Sequence, residues 1–293
     1  MGIDSQMLNF LRYTKKYGDF KRTVTLGRQN ISYRIPELKH LNPEECQSLS
    51  EYLRKQETYV DNPLRDYFGA SIVDSIDKSE YEGATIIFDM NNEISTELKG
   101  KYDTVINSGT LEHIFNIPQA LDNTSSLCKP GGQIIHALPA NNFCGHGFWQ
   151  MSPELFFTLY SDKNGYQDTE VFLGHSSDPN IFYKVIRPKG GKRVNIYSKY
   201  EVMMYVRTVR KETEFSHKNV QQSDYIYFWD DKSHNESENH YRFKEFIRKN
   251  YLIYNMALKA LKKYEQHFQS VNSLSKHNIN LVKVNIGNLL GLL

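Results

Sequence analysis

Four short apolar runs in this chain each end in residues suited to holding a polar ligand. TVTLGRQN at 23–30 ends in Gly27 and Arg28, SIVDSIDKS at 71–79 in Asp77, and TIIFDMNN at 85–92 in Asp89 and Met90. The fourth, KYDTVINSGTLEH at 101–113, ends in Asn107-Ser108-Gly109 followed by Glu112 and His113. A carboxylate can accept hydrogen bonds from a ribose diol, small polar groups can meet an adenine edge, and a glycine lets backbone approach a ligand closely. Together these residue types suit an adenosine-containing small molecule.

Runs that are apolar in the middle and polar at the end are what the buried strands of an open α/β sheet look like. Ligands of such sheets lie in the crevice beyond the carboxyl ends of the strands. The periodicity predicts a helix over 5–16, strands at 23–27, 71–76, 84–88, 103–107 and 133–138, and a helix over 117–128. Asn42 and Pro43 open a further helix as cap and first turn, and a short helix spans 62–68. Alternating strands and helices imply a doubly wound, mostly parallel, Rossmann-like sheet. A helix opening at Ser152-Pro153-Glu154 and strands at 169–174 and 202–209 bring the expected count to seven, with an antiparallel edge strand. Between the last two, IFYKVIR-PKGG-KRVNIY reads as a β-hairpin insertion over about 176–198. The expected first domain is therefore 1–210. An extension over 211–293 follows, holding the aromatic run YIYFW at 225–229 and an amphipathic helix over 240–268. That helix should lay its Phe, Tyr and Leu stripe on the protein body or on a second copy in a homo-oligomer.

With 24% charged residues, 39% hydrophobic residues and a net charge of +2, the 293-residue chain has the composition of a globular protein. No stretch approaches the roughly 20 apolar residues of a membrane span, and the first residues do not read as a signal peptide or a good myristoylation site. Cys46, Cys128 and Cys144 are far apart and odd in number, so neither disulfides nor a zinc site is expected, and a reducing, cytoplasmic setting fits. Near-neutral charge offers no argument for nucleic acid.

The first strand-to-helix turn, LGRQNISYRIP, has one glycine and a long route to the next helix, which makes a poor cradle for a pyrophosphate. S-adenosylmethionine has none. At these residues the sequence resembles the class I S-adenosylmethionine-dependent methyltransferases over roughly 20–175, with 200–210 as a last strand. The resemblance rests on Asp103, Val105, Leu111, Glu112 and His113, which follow a D-x-V-x-x-x-x-x-L-E-H-type signature, and on the Lys129-Pro130-Gly131-Gly132 turn after the next helix. LGRQN keeps only one glycine of the usual G-x-G. More narrowly, the chain is similar to methyltransferase-like proteins of bacterial surface-polysaccharide gene clusters. The resemblance implies S-adenosylmethionine as cofactor and contacts from Gly27, Arg28, Asp77, Asp89, Met90, Asn107, Ser108, Gly109 and Glu112. It further implies a small-molecule acceptor, such as a saccharide or nucleotide-linked sugar, methylated on oxygen or nitrogen.

Asp74 rivals Asp77 for the ribose, but the two differ in strand parity, so only one can face the pocket. Methyl transfer to a hydroxyl benefits from a base, and histidine suits neutral pH. His146, between Gly145 and Gly147 in the loop after the fifth strand, is the first candidate; His113 is the second. Glu112 and His113 are expected to open the helix after the fourth strand. Lys184, Arg187, Lys189, Lys192 and Arg193 read as a solvated edge, with capture of an anionic saccharide as the alternative. A non-catalytic scaffold that keeps the fold is the competing function.

Overall fold

A computed structural model describes residues 2–175, 177–196, 198–211, 214–218, 220–230, 249–269 and 280–292. Its strands are β1 (Gly2–Ile3), β2 (Arg22–Leu26), β3 (Asn30–Ile31), β4 (Ile72–Asp77), β5 (Ile86–Ile87) and β6 (Tyr102–Ser108). They continue with β7 (Cys128–Asn141), β8 (Tyr166–His175), β9 (Ile181–Val185), β10 (Val202–Arg210) and β11 (Leu281–Asn285). β1 and β3 form a small parallel pair, and the rest form one sheet in the order β11-β9-β8-β10-β7-β6-β2-β4-β5. The half from β5 to β7 is parallel, and the antiparallel pairings gather toward the β11 edge. Strand order reverses between β2 and β6, so the carboxyl ends of β2, β4 and β6 diverge around one crevice.

Helices cover both faces. α1 (Ser5–Lys15), α2 (Pro43–Arg54) and α3 (Asp61–Asp66) lie on one; α4 (Ile117–Leu127) and α5 (Pro153–Leu159) lie on the other. Because side chains alternate along a strand, neighbours feed opposite cores: Val105 and Ile134 join one cluster, Ile106 and Ile135 the other. α2 starts where its sequence says. The Asn42 side chain accepts from the Glu45 N–H at 2.8 Å, and the Glu45 carboxylate accepts from the Asn42 N–H at 3.0 Å. α1 is buried almost all round, capped by Asp4 and packed through Phe10 against Phe172, Phe182 and Tyr205.

Two expectations need correction. Among the described residues the main sheet has nine strands rather than seven, because β9 and β11 extend it beyond β8. The expected hairpin within 176–198 is not formed by its two proposed arms. The first arm, β9, pairs with β8 and with β11, whereas the described part of the second arm has no strand. After Pro188 and Gly190-Gly191 the chain returns without forming a strand: Val194 and Ile196 pack on the core, and the Asn141 side chain donates to the Ile196 carbonyl at 3.3 Å. Part of the chain after 210 joins the same body: β11 pairs at the edge of the sheet, and Ile286 and Leu289 of the terminal helix (Ile286–Leu290) enter the core around α1. The amphipathic helix spans Tyr251–Gln269; the 240–248 part of the expected helix lies outside the described residues. Its first turns do not lie on the body, since Tyr251, Leu252 and Met256 are more than 70% exposed. The YIYFW run is helical, in α6 (Ser223–Asp230), and Arg193 Nε reaches its Asp224 at 2.6 Å.

Candidate functional site

A cavity of about 460 Å³ opens where the ends of β2 and β4 meet the turns after β5 and β6. That volume lies in the range of small-ligand sites. Gly27, Arg28, Asp77, Asp89, Met90 and His113 all line it. Each owes its place to a strand end. Gly27 turns the chain off β2 with φ +70°, its N–H donating to the Ile76 carbonyl at 2.7 Å; a Cβ there would meet Thr110 Oγ1 at 2.8 Å. Asp77 ends β4 and accepts the Ser79 N–H at 3.0 Å. Asp74 points elsewhere, accepting from the Tyr102 hydroxyl at 2.9 Å.

Asp89 is held ionised. Its carboxylate accepts from the Asn91 backbone N–H at 3.0 Å and the Asn91 side chain at 2.7 Å, and it pairs with Lys78 Nζ at 3.0 Å. Those hydrogen bonds, the backbone one first, hold its pKa down at about 2. Arg28 spans the cavity edge: it donates to the Glu82 and Gly83 carbonyls at 2.9 and 3.0 Å, and its guanidinium lies 3.9 Å from the Tyr59 ring. The apolar part of the lining includes Ile76, Phe88, Phe115 and Phe148, the last two exposed and edge-to-face at 6.1 Å.

Asn107, Ser108, Gly109 and Glu112, expected to touch a cofactor, stand behind this lining. Asn107 is fully buried; its side-chain oxygen accepts from the Thr110 and Leu111 N–H groups, both at 3.1 Å. Ser108 Oγ donates to the Gly2 carbonyl at 3.3 Å, and the Gly109 N–H donates to Ala137 at 3.0 Å. Asn107 thus shapes the turn that brings Thr110 to the cavity. That turn is a 3-10 helix, Leu111–His113, so Glu112 and His113 precede the α-helix rather than open it; the helix itself begins at Ile117, as the 117–128 expectation has it, with Pro118 in its first turn.

The 3-10 turn points Glu112 inward. Its side chain is 1% exposed and no other described residue hydrogen-bonds its carboxylate, so burial, outweighing its own backbone N–H, pushes its pKa up to about 7. The loop after β7 docks on the same residue, with the Phe148 N–H donating to the Glu112 carbonyl at 2.8 Å. Gly147, at φ +74°, sits where a Cβ would meet that carbonyl at 2.8 Å. The docking carries His146, which does not line the cavity itself, to 3.5 Å from Glu112 Oε1 and its ring to 5.1 Å from that of His113. Burial, with His146 alongside, lowers the His113 pKa. Thr110, Gln29, Lys78, Phe115 and Phe148 also line the cavity and were not singled out from sequence. Thr110, immediately after the Asn-Ser-Gly turn, carried the only usable signal.

The arrangement can hold a small polar ligand against His113, with the Glu112–His146 pair just behind that histidine. Fold and sequence agree on the class: residues 45–199 match the family described as Methyltransferase domain, and the chain belongs to it. It is a class I, S-adenosylmethionine-dependent type of domain. Similar solved structures include a SAM-dependent methyltransferase from Thermotoga maritima, at 13% identity and TM-score 0.40, covering 70% of this chain and 89% of that one. Another is the N-methyltransferase NodS from Bradyrhizobium japonicum WM9, at 12% identity and TM-score 0.38, covering 71% of this chain and 94% of that one. No curated protein matches the chain.

Proposed function

We propose that the chain binds S-adenosylmethionine in the cavity at the ends of β2 and β4 and transfers its methyl group to an oxygen or nitrogen of a small molecule. One observation carries the reading: Gly27, Asp77 and Asp89 line a single cavity at the point where strand order reverses. In this reading Asp77 takes the ribose diol, Asp89 and Met90 flank the adenine, and the backbone at Gly27 admits the methionine arm. Arg28 holds the loop at the cavity edge.

The acceptor then enters by His113, Phe115 and Phe148. Two exposed aromatic rings suit a sugar or another small ring whose apolar face needs cover, which favours the saccharide acceptor and a cytoplasmic role in surface-polysaccharide synthesis. The Glu112–His146 pair removes the acceptor's proton, so His146→Gln should lower turnover roughly 10²–10⁴-fold with little change in cofactor affinity. Incubation with S-adenosylmethionine and a panel of nucleotide-linked sugars and free glycans, read by mass spectrometry, tests the acceptor. One panel member should gain a methyl group; no methylation of any member by protein that binds the cofactor would rule out the saccharide reading.

A further inference from the structure

Glu112, His113 and His146 bring one carboxylate and two imidazoles together, with ligating atoms all within 4.8 Å of one another. We propose that these three side chains form a divalent transition-metal site at the rim of the cavity, taking an ion such as Zn²⁺ or Co²⁺. Two imidazoles and one carboxylate form a recurrent donor set for such ions, with further positions left open for water or substrate.

The geometry is close to what an ion needs. Metal–nitrogen and metal–oxygen distances of about 2.0–2.2 Å put neighbouring ligand atoms of a tetrahedral site about 3.4 Å apart. Glu112 Oε1 and His146 Nε2 already stand 3.5 Å apart. The remaining adjustment falls to imidazoles on the exposed side of the cluster, where rotation meets little resistance.

Glu112 is the second, independent observation. Its side chain is 1% exposed, yet neither oxygen accepts a hydrogen bond from another of the described residues, and Oε1 stands 3.5 Å from His146 Nε2 in the cluster. A buried carboxylate that no other residue hydrogen-bonds is costly and calls for a partner. A divalent cation would be one. The surroundings are built to keep it there: Phe148 and Trp149 N–H groups both converge on the Glu112 carbonyl, at 2.8 and 3.3 Å, and Trp149 Nε1 donates to the Ile114 carbonyl at 2.9 Å. These contacts tie His146 and the 3-10 turn into one unit. Sequence spacing hid the site, because His146 is 33 positions beyond His113 and reaches it only through the docked loop.

The site stands on the three side chains; its role rests on the proposed methyl transfer. In that reaction the cation would coordinate an acceptor hydroxyl and lower its pKa, taking over the activation assigned to the Glu112–His146 pair. The hydroxyl proton passes to water, the oxygen forms its bond to the methyl carbon, and the C–S bond breaks with its electron pair returning to sulfur.

Titration of the full chain with Co²⁺, without S-adenosylmethionine, tests the site separately from the methyl-transfer reading. Visible absorption should report one tightly bound Co²⁺ per chain. His113→Ala and His146→Ala, both on the exposed side of the cluster, should each weaken binding at least tenfold while circular dichroism stays unchanged. Glu112→Gln should do the same, and the remote, exposed His40→Ala should bind as the parent does. No bound Co²⁺ at millimolar concentration, or unchanged affinity in both cluster histidine variants, would overturn the proposal whatever the outcome for the cofactor.

Discussion

Two carboxyl groups near one cavity are driven in opposite directions by their surroundings. Asp89 receives N–H donors from Asn91 and a lysine, and its pKa falls to about 2; for Glu112 burial outweighs the help of its own backbone N–H, and its pKa rises to about 7. The consequence for Glu112 is a pH-dependent stability. Below the ordinary carboxyl value of 4.5 both folded and unfolded chains hold the proton. Between there and about 7 the folded chain keeps a proton that the unfolded chain has released, so stability declines as pH rises and levels off above. At about 1.36 kcal/mol per pH unit separating the two values, the loss is about 3 kcal/mol. Glu112→Gln, melted in the presence of a chelator, should lose this decline and melt higher than the parent at pH 8. An unchanged pH profile would mean that the carboxylate is solvated or already paired. Asp77→Ala should weaken S-adenosylmethionine binding by about 1–3 kcal/mol, the scale for charged hydrogen bonds, with Asp74→Ala leaving it near normal; calorimetry with the reverse ranking would contradict the register. Strand parity told in sequence that only one of Asp74 and Asp77 could face the cavity, and Asp77's place at the end of the strand chose between them. The burial of Glu112 was not legible, because it depends on Asn107 accepting from the Thr110 and Leu111 N–H groups and so bending the chain into a 3-10 turn ahead of the helix.

At the scale of elements, local chemistry marked boundaries well where a cap was present. Asn42 with Glu45, and Ser152 before Pro153, start helices where their side chains predict. The alternating cores of β6 and β7 were likewise readable as continuous apolar runs. Pairing between distant segments was not. β9 finds its partner in β11, about a hundred residues away, and no local turn signal encodes that choice. α1 shows the same limit: Gln6, Asn9 and Arg12 look like a solvent face, yet all three are buried. The Gln6 and Asn9 amides donate to the carbonyls around Pro179, and the Arg12 guanidinium to those of Lys39 and His40. Phe10 anchors this helix on β8, β9 and β10 through three ring contacts of 5.3–6.1 Å. Phe10→Ala should therefore cost about 3–5 kcal/mol of stability in denaturant unfolding. A loss below about 1 kcal/mol would show that the helix contributes little to the sheet's stability.

Across the whole molecule, the two halves of the sheet do different work. The parallel half carries the cavity, and the antiparallel half, closed by β11 and the terminal helix, is held from behind by α1. Ile286→Ala should lower the melting temperature, because it opens the core where the end of the chain packs on α1. The helix Tyr251–Gln269 presents Leu252 and Met256 outward. Cover by a second copy predicts that Leu252→Asp with Met256→Asp halves the mass measured by light scattering and leaves melting unchanged. The central claim, however, is that the glycine-poor first turn still admits S-adenosylmethionine. Calorimetric titration with S-adenosylmethionine and S-adenosylhomocysteine tests it most directly. The account predicts one site per chain for either ligand, weakened by Asp77→Ala and by Gly27→Val, whose side chain would run into Thr110. No heat of binding from either ligand at millimolar concentration would contradict it and leave the fold as a scaffold.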